Sequence, residues 1–154
     1  MLFELGLANA DQWDGYIDDR KAVLDLISEP RFTNPMILSG DVHAACFAEL
    51  YADQFDPHSK HVAYEVMATS LTSGGDRADS MARMASAGEA LSEGLHYVDA
   101  VKRGFTVCDY TRDSCEVTFF AVTTVLAPQA ELYTAARFTI TADTLDFELV
   151  ERGS

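Results

Sequence analysis

The sequence has 154 residues, 48% of them hydrophobic, a length and composition that suit one globular core rather than two. Eleven Lys and Arg residues against 25 Asp and Glu residues give a formal net charge of -14, which disfavours binding to nucleic acid or to an anionic membrane. No apolar run approaches the roughly 20 residues that span a bilayer, and the first residues lack the features of a signal peptide. We therefore expect residues 1–154 to be a single domain or a portion of one, with no membrane partner.

The first predicted elements are a helix and a strand. Asp14 can cap an amphipathic helix over residues 15–28, because apolar residues recur there at spacings of three or four before Pro30. The apolar run 35–39 then predicts a strand buried on both faces, which ends in a loop at Asp41.

The rest of the chain is richer in strand patterns. Residues 44–52 and 61–70 are strand candidates, and the small-residue-rich stretch 75–94 is more typical of a helix. Two hairpins are predicted after it, one pairing 105–109 with 115–122 and one pairing 136–140 with 144–150. This order predicts an α/β protein of mixed α+β layers rather than a doubly wound sheet.

Asp41 and His43 are a candidate metal site. They lie two residues apart, directly after the predicted buried strand. In an extended loop this spacing directs both side chains to the same side. A carboxylate beside an imidazole suits iron, manganese or zinc, and such an ion can polarise a phosphoryl oxygen and activate water. The alternative is a loop aspartate that caps backbone amides next to an ordinary surface histidine.

The start of the predicted helix is a candidate substrate-binding site. Trp13, Asp14 and Tyr16 lie there, and free amides at a helix N-terminus attract phosphate. The alternative is structural, with Asp14 as the cap and Trp13 packing against the first turn.

Further residues could orient metal ligands, form a disulfide or lie at the surface. Ser70, Thr72 and Ser73 could orient metal ligands from behind, although hydroxyl-rich turns are common without function. Cys108 and Cys115 stand on opposite arms of a predicted hairpin, so they form either a disulfide or two independent buried thiols. Three histidines lack a partner at ligand spacing and are predicted to be surface imidazoles: His58, His61 and His96.

Five ordered segments resemble one family. They are residues 13–16 (WDGY), 37–44 (ILSGDVHA), 68–75 (ATSLTSGG), 96–99 (HYVD) and 103–105 (RGF). Together they look like the C-terminal signature of the PhoD-type alkaline phosphatases.

The resemblance implies the C-terminal part of a four-layer metallophosphoesterase sandwich, in which two sheets pack face to face with helices outside. Asp41 and His43 would belong to its last metal-binding motif, as ligands or direct neighbours of a two-metal site, and would be catalytic. The family is associated with divalent or trivalent metals, mainly iron and calcium. Its members hydrolyse phosphomonoesters and phosphodiesters by metal-activated hydroxide and are usually secreted or periplasmic.

The other metal-binding motifs of that family lie upstream of the WDGY segment, and nothing in residues 1–10 replaces them. Asp41 and His43 cannot close a two-metal site alone, because each ion needs about six donors. Two hypotheses follow: part of a metal-dependent phosphoesterase, or a non-catalytic fragment or assembly module whose partner is the missing N-terminal half. In either case we expect Met36, Ile37 and Leu38 to be poorly covered.

Overall fold

The computed structural model describes residues 13–53, 55–73 and 93–153, which form a short 3-10 helix, one α-helix and eight strands. The 3-10 helix is Trp13–Gly15 and the α-helix, α1, is Ile17–Ile27. The strands are β1 (Met36–Ser39), β2 (Ala45–Tyr51), β3 (His61–Met67), β4 (Leu95–Asp99), β5 (Arg103–Tyr110), β6 (Ser114–Val122), β7 (Leu132–Thr141) and β8 (Phe147–Arg152). The helix predicted over 75–94 lies almost entirely outside the described residues.

The strands form two four-stranded sheets, with the orders β1-β3-β2-β4 and β5-β6-β7-β8. β1 runs parallel to β3, and the other pairs are antiparallel. The predicted mixed α+β class is confirmed, and the arrangement corresponds to part of a β-sandwich. None of the described helical segments is both long and apolar enough to span a bilayer.

The core lies between the two sheets and is largely aromatic. Phe47 of β2 is fully buried and stacks on Phe138 of β7, with ring centroids 4.2 Å apart. Tyr97 of β4 packs on Phe119 of β6 at 4.9 Å. Because alternate side chains of a strand share one face, each strand sends one set of residues into this layer. Aromatic side chains bury large apolar areas, so this layer dominates the packing energy.

Helix α1 packs on the outer face of the first sheet through Leu24, which contacts the cluster formed by Leu50, Val62 and Ala63. The helix begins later than predicted. Its N-cap is Tyr16, with no side-chain capping bond, so the predicted N-cap position at Asp14 is wrong, and the Asp14 side chain lies outside the described part of the structure. The 3-10 turn before the helix explains the shift, since the Tyr16 amide already bonds the Trp13 carbonyl.

Strand β1 was predicted correctly, but its predicted burial on both faces is wrong. Leu38 is 62% exposed, and Met36 and Ile37 are only half-buried. The reason is position, because β1 is the edge strand of its sheet and pairs only with β3 among the described strands. The expectation of poorly covered apolar surface is therefore confirmed at Leu38.

The hairpin of β5 and β6 was predicted, whereas β4 was not. The hairpin register places Cys108 opposite Val117 and Cys115 opposite Tyr110, so the cysteines are diagonal neighbours rather than a facing pair. Both are free thiols, and the disulfide hypothesis is wrong for this structure. Burial raises the pKa of the Cys108 thiol, and burial together with the neighbouring Cys108 raises the pKa of Cys115 to about 11.

We expect both thiols to resist alkylation and oxidation, since the thiolate is the reactive form and raised pKa values keep it scarce. At pH 8, iodoacetamide should modify Cys108 and Cys115 roughly tenfold or more slowly in the folded protein than in urea, as followed by mass spectrometry. Equal rates in both states, or a linked Cys108–Cys115 peptide in a non-reduced digest, would contradict this prediction.

Gly104 marks a close approach between β5 and β6. A Cβ added at this residue would lie 1.9 Å from the Phe120 carbonyl oxygen and 2.9 Å from the Ala121 Cα atom. Because only backbone movement relieves these contacts, we expect Gly104→Ala to lower the free energy of unfolding by roughly 3 kcal/mol or more. Gly40→Ala is the control, since its added methyl would lie 3.8 Å from the Ala68 oxygen. Urea denaturation measures both, and similar losses would contradict the prediction.

Candidate active site

The candidate site is the loop of residues 40–43, which leaves β1 and enters β2. These strands are not neighbours, because β3 lies between them. Since β1 and β3 are parallel, their C-terminal ends lie at the same edge of the sheet, with Ser39 paired to Met67. The segment that follows β3 continues this contact through the Ala68 amide, which donates to the Ser39 carbonyl at 3.0 Å. The loop 40–43 and residues 68–73 therefore emerge side by side.

The backbone of this loop is tightly turned rather than extended. The Val42 amide donates to the Gly40 carbonyl at 2.9 Å. Asp41 has a φ of 71° and His43 a φ of 60°, both in the left-handed region. The loop is therefore not extended as predicted, whereas the expectation that both side chains point to the same side stays a prediction. Left-handed backbone costs a non-glycine residue about 1–2 kcal/mol, so the surrounding structure must hold it.

Contacts from three segments hold the loop. Ser39 Oγ donates to Glu65 Oε1 at 2.8 Å, which fixes the residue before the loop. At the other end, the His43 carbonyl accepts Thr69 Oγ1 at 3.1 Å and Arg103 Nη1 at 3.3 Å. Asp41 is exposed, His43 is half-buried and Arg103 is buried. The Asp41 carboxylate is thus exposed to solvent, while hydrogen bonds fix the main chain of the loop.

The hydroxyl-rich segment lies next to this loop, but its bonds differ from those expected. Ser70 Oγ donates to the Ser73 carbonyl at 3.2 Å, within the same turn. The Ser73 carbonyl also accepts Arg103 Nε at 2.7 Å, and Thr72 is exposed. The direct contact to the loop comes from Thr69, which was not singled out in the sequence. An orienting role for the hydroxyls of Ser70, Thr72 and Ser73 stays a prediction.

The start of α1 offers two exposed aromatic side chains, Trp13 at 47% and Tyr16 at 54%. Asp18 and Asp19 occupy the first turn of the helix. Their negative charges oppose a phosphate group at that end. Substrate binding by Trp13, Asp14 and Tyr16 therefore stays a prediction.

Among residues 13–53, 55–73 and 93–153, no group of three or more His, Cys, Asp or Glu side chains is placed to hold a metal ion. Asp41 and His43 would thus be a partial donor set, and their role as metal ligands stays a prediction. Their chemistry, one oxygen and one nitrogen donor, still suits a transition metal.

A second polar cluster surrounds Glu49, away from the predicted residues. His61 Nδ1 lies 3.8 Å from one carboxylate oxygen of Glu49 and His96 Nε2 lies 3.5 Å from the other. The Tyr51 hydroxyl donates to the same carboxylate. Burial, this bond and the negative charge of Glu49 raise the pKa of Tyr51, which therefore remains a donor.

The prediction of surface imidazoles is wrong for His61 and His96, whose side chains are 16% and 24% exposed. It is confirmed for His58, which is 80% exposed. His96 belongs to β4, the strand that the sequence pattern missed, and His61 is the first residue of β3. The hydrogen bond from Arg103 to the loop 40–43 was not predicted either, although the segment 103–105 is one of those that resemble the family.

Comparisons with known proteins identify one family. A family model described as PhoD-like phosphatase matches residues 4–119. Alkaline phosphatase D of Bacillus subtilis (strain 168) is 32% identical over 136 residues, covering 86% of this chain and 22% of the relative. A solved structure of PhoD matches with a TM-score of 0.80 and 28% identity, covering 94% of this chain and 27% of that one. The chain therefore spans about a quarter of the length of these relatives.

The family model covers well over half of the chain, and the matched region contains the loop 40–43, residues 68–73 and Arg103. The likeness of PhoD extends to the fold of nearly the whole chain. On these grounds, the chain belongs to the PhoD-like phosphatase family.

Proposed function

We propose that this chain is the C-terminal part of a metal-dependent phosphoesterase, in which Asp41 and His43 are metal ligands and catalytic residues. The observation that carries the proposal is the loop 40–43, where a carboxylate and an imidazole occupy left-handed backbone at the edge of a rigid sheet. Strained backbone of this kind concentrates at functional sites, because stability alone does not favour it. Family membership supports the hydrolysis of phosphate esters.

The donor chemistry of the loop fits the metals associated with the family in part. Calcium takes oxygen ligands, which the exposed Asp41 carboxylate can provide. Iron accepts both carboxylate and imidazole, so His43 suits the iron of an iron and calcium pair. Since the described residues offer no group of three donors, the remaining ligands would come from outside them.

A bound metal would supply Lewis-acid chemistry, by polarising a phosphoryl oxygen and lowering the pKa of water. The protein residues have distinct tasks. The Asp41 carboxylate offsets part of the charge of the ion, and the neutral His43 imidazole adds a directional bond. The substrates would be phosphomonoesters, phosphodiesters or both. The net charge of -14 on residues 1–154 disfavours binding of long polyanions such as nucleic acids to this part of the enzyme.

The partial donor set also favours a second function for residues 1–154 taken alone, that of an assembly module. Leu38 is 62% exposed on edge strand β1, where an added strand would cover it. Its partner would be the N-terminal part of the enzyme, with residues 1–154 forming one portion of the domain.

The purified chain of residues 1–154 should hydrolyse p-nitrophenyl phosphate no faster than a buffer blank containing iron and calcium. Two donors cannot hold an ion that needs about six. The assay should follow gel filtration, so that a folded monomer is tested. Enzyme-like turnover by that monomer would contradict the prediction and would mean that the metal site is complete within these residues.

In a complete enzyme containing this segment, Asp41→Asn and His43→Ala should each reduce kcat by roughly a hundredfold or more, the scale seen when a charge-stabilising group is lost. Such an enzyme can be made by placing these residues in the matching region of the Bacillus subtilis relative. Bound metal, measured by mass spectrometry, should fall together with the rate.

Matched controls for these variants exist elsewhere in the chain. Asp143→Asn replaces another exposed aspartate with left-handed backbone, φ 61°, in the turn between β7 and β8. His58→Ala removes a histidine that is 80% exposed. Both should retain parental rate and metal. If Asp41→Asn and His43→Ala also retain them, the assignment of the site is wrong.

A further inference from the structure

His43 has an unusual backbone for a residue that is not glycine, with a φ of 60°. Asn, Asp and His adopt this conformation more often than other side chains do, but it still costs free energy that neighbouring contacts must offset. The two bonds to its carbonyl oxygen, from Thr69 Oγ1 and Arg103 Nη1, meet this need. Both donors come from distant parts of the sequence, so tertiary structure rather than local preference sets the orientation of His43.

We propose that Arg103 and Thr69 are positioning residues, which fix the His43 imidazole for metal binding by holding the His43 main-chain carbonyl. The inference rests on the proposed function of the loop, but concerns residues that neither touch substrate nor donate to metal. Metal affinity should therefore depend on the hydrogen bonds to the His43 main-chain carbonyl as well as on the ligands themselves. Groups that orient metal ligands in this way typically change affinity when they are removed.

Arg103 is suited to this task by the number and direction of its donors. Besides the His43 carbonyl, it bonds the carbonyl oxygens of Ser73 at 2.7 Å, Lys102 at 3.0 Å and Val101 at 3.1 Å. These oxygens belong to the turn after β3 and to the turn between β4 and β5. A planar guanidinium has five donors in fixed directions, whereas a lysine ammonium cannot span all four oxygens.

The charge of Arg103 argues against a purely stabilising role. The side chain is 6% exposed, and no carboxylate within the described parts of the chain lies within ion-pair distance of it. Burying a cation is costly even when its donors are hydrogen-bonded, and a well-packed apolar residue is often at least as stable. Arg103 instead has a geometric role, because its one side chain joins the loop 40–43 to two other turns.

Thr69 provides the second bond and the cleaner test. Its hydroxyl lies 3.1 Å from both the His43 and the Lys102 carbonyl oxygens, so its one hydrogen is shared between the loop and the turn before β5. Thr69→Val keeps the side-chain shape and removes the donor, whereas Thr69→Ser keeps the donor. The pair separates the hydrogen bond from the packing.

The experiment uses a complete enzyme containing this segment, with iron affinity measured by chelator competition, kcat measured at saturating metal, and thermal unfolding followed in parallel. We expect Thr69→Val and Arg103→Lys to weaken iron binding roughly 10- to 100-fold, and Thr69→Ser to bind within a few-fold of the parent. Excess iron should restore part of the lost rate. Arg137→Lys is the control, because Arg137 pairs with Glu116 and Glu151 on the second sheet.

The outcomes are distinct. Unchanged iron affinity in Thr69→Val and Arg103→Lys, with a lower unfolding temperature alone, would show that these residues are only structural and would overturn the proposal. Equal weakening by Thr69→Val and Thr69→Ser would overturn it too. If Asp41→Asn and His43→Ala still abolish metal binding in those cases, the proposed function stands without the positioning role. Should Arg103→Lys fail to fold, the Thr69 pair decides.

Discussion

The stacking of Phe47 between Tyr64 and Phe138 is the contact on which the rest of the structure depends. The ring of Phe47 lies 5.2 Å from Tyr64 and 4.2 Å from Phe138, and so joins the two sheets. Phe47 belongs to β2, which the loop 40–43 enters, and Tyr64 belongs to β3, which pairs with the strand that the loop leaves. Both ends of the loop are thereby attached to one packed core, and a strained turn between them can persist.

Much of the fold could be predicted because its signals are local. Alternation in residues 105–109 and 115–122 predicted the β5–β6 hairpin, and the run 35–39 predicted β1. The features that were predicted wrongly or not at all depend on strands that are distant in the sequence. Strand β4 exists through its pairing with β2, and the exposure of Leu38 follows from the edge position of β1. An apolar run does not reveal which strands will lie on either side of it.

In the candidate site, too, local features could be predicted from the sequence and features set by distant contacts could not. Residue type and spacing were enough to single out Asp41 and His43, since few pairs offer such donors directly after a strand. Their left-handed backbone was not predictable, because nothing in the local sequence requires it. The environments of His61 and His96 were also hidden, since Glu49 reaches them only after β2 has paired with β3 and β4.

Three of the segments that resemble the family are separate in sequence but meet in one place. Thr69 and Ser73 belong to one segment, Arg103 to another, and His43 to a third, and hydrogen bonds join all of them. Gly104 extends the junction, since its amide donates to the Ser70 carbonyl at 3.1 Å. A close approach to β6 also requires glycine there. The ordered motifs therefore describe one physical unit, the loop 40–43 and the hydrogen bonds that hold its main chain.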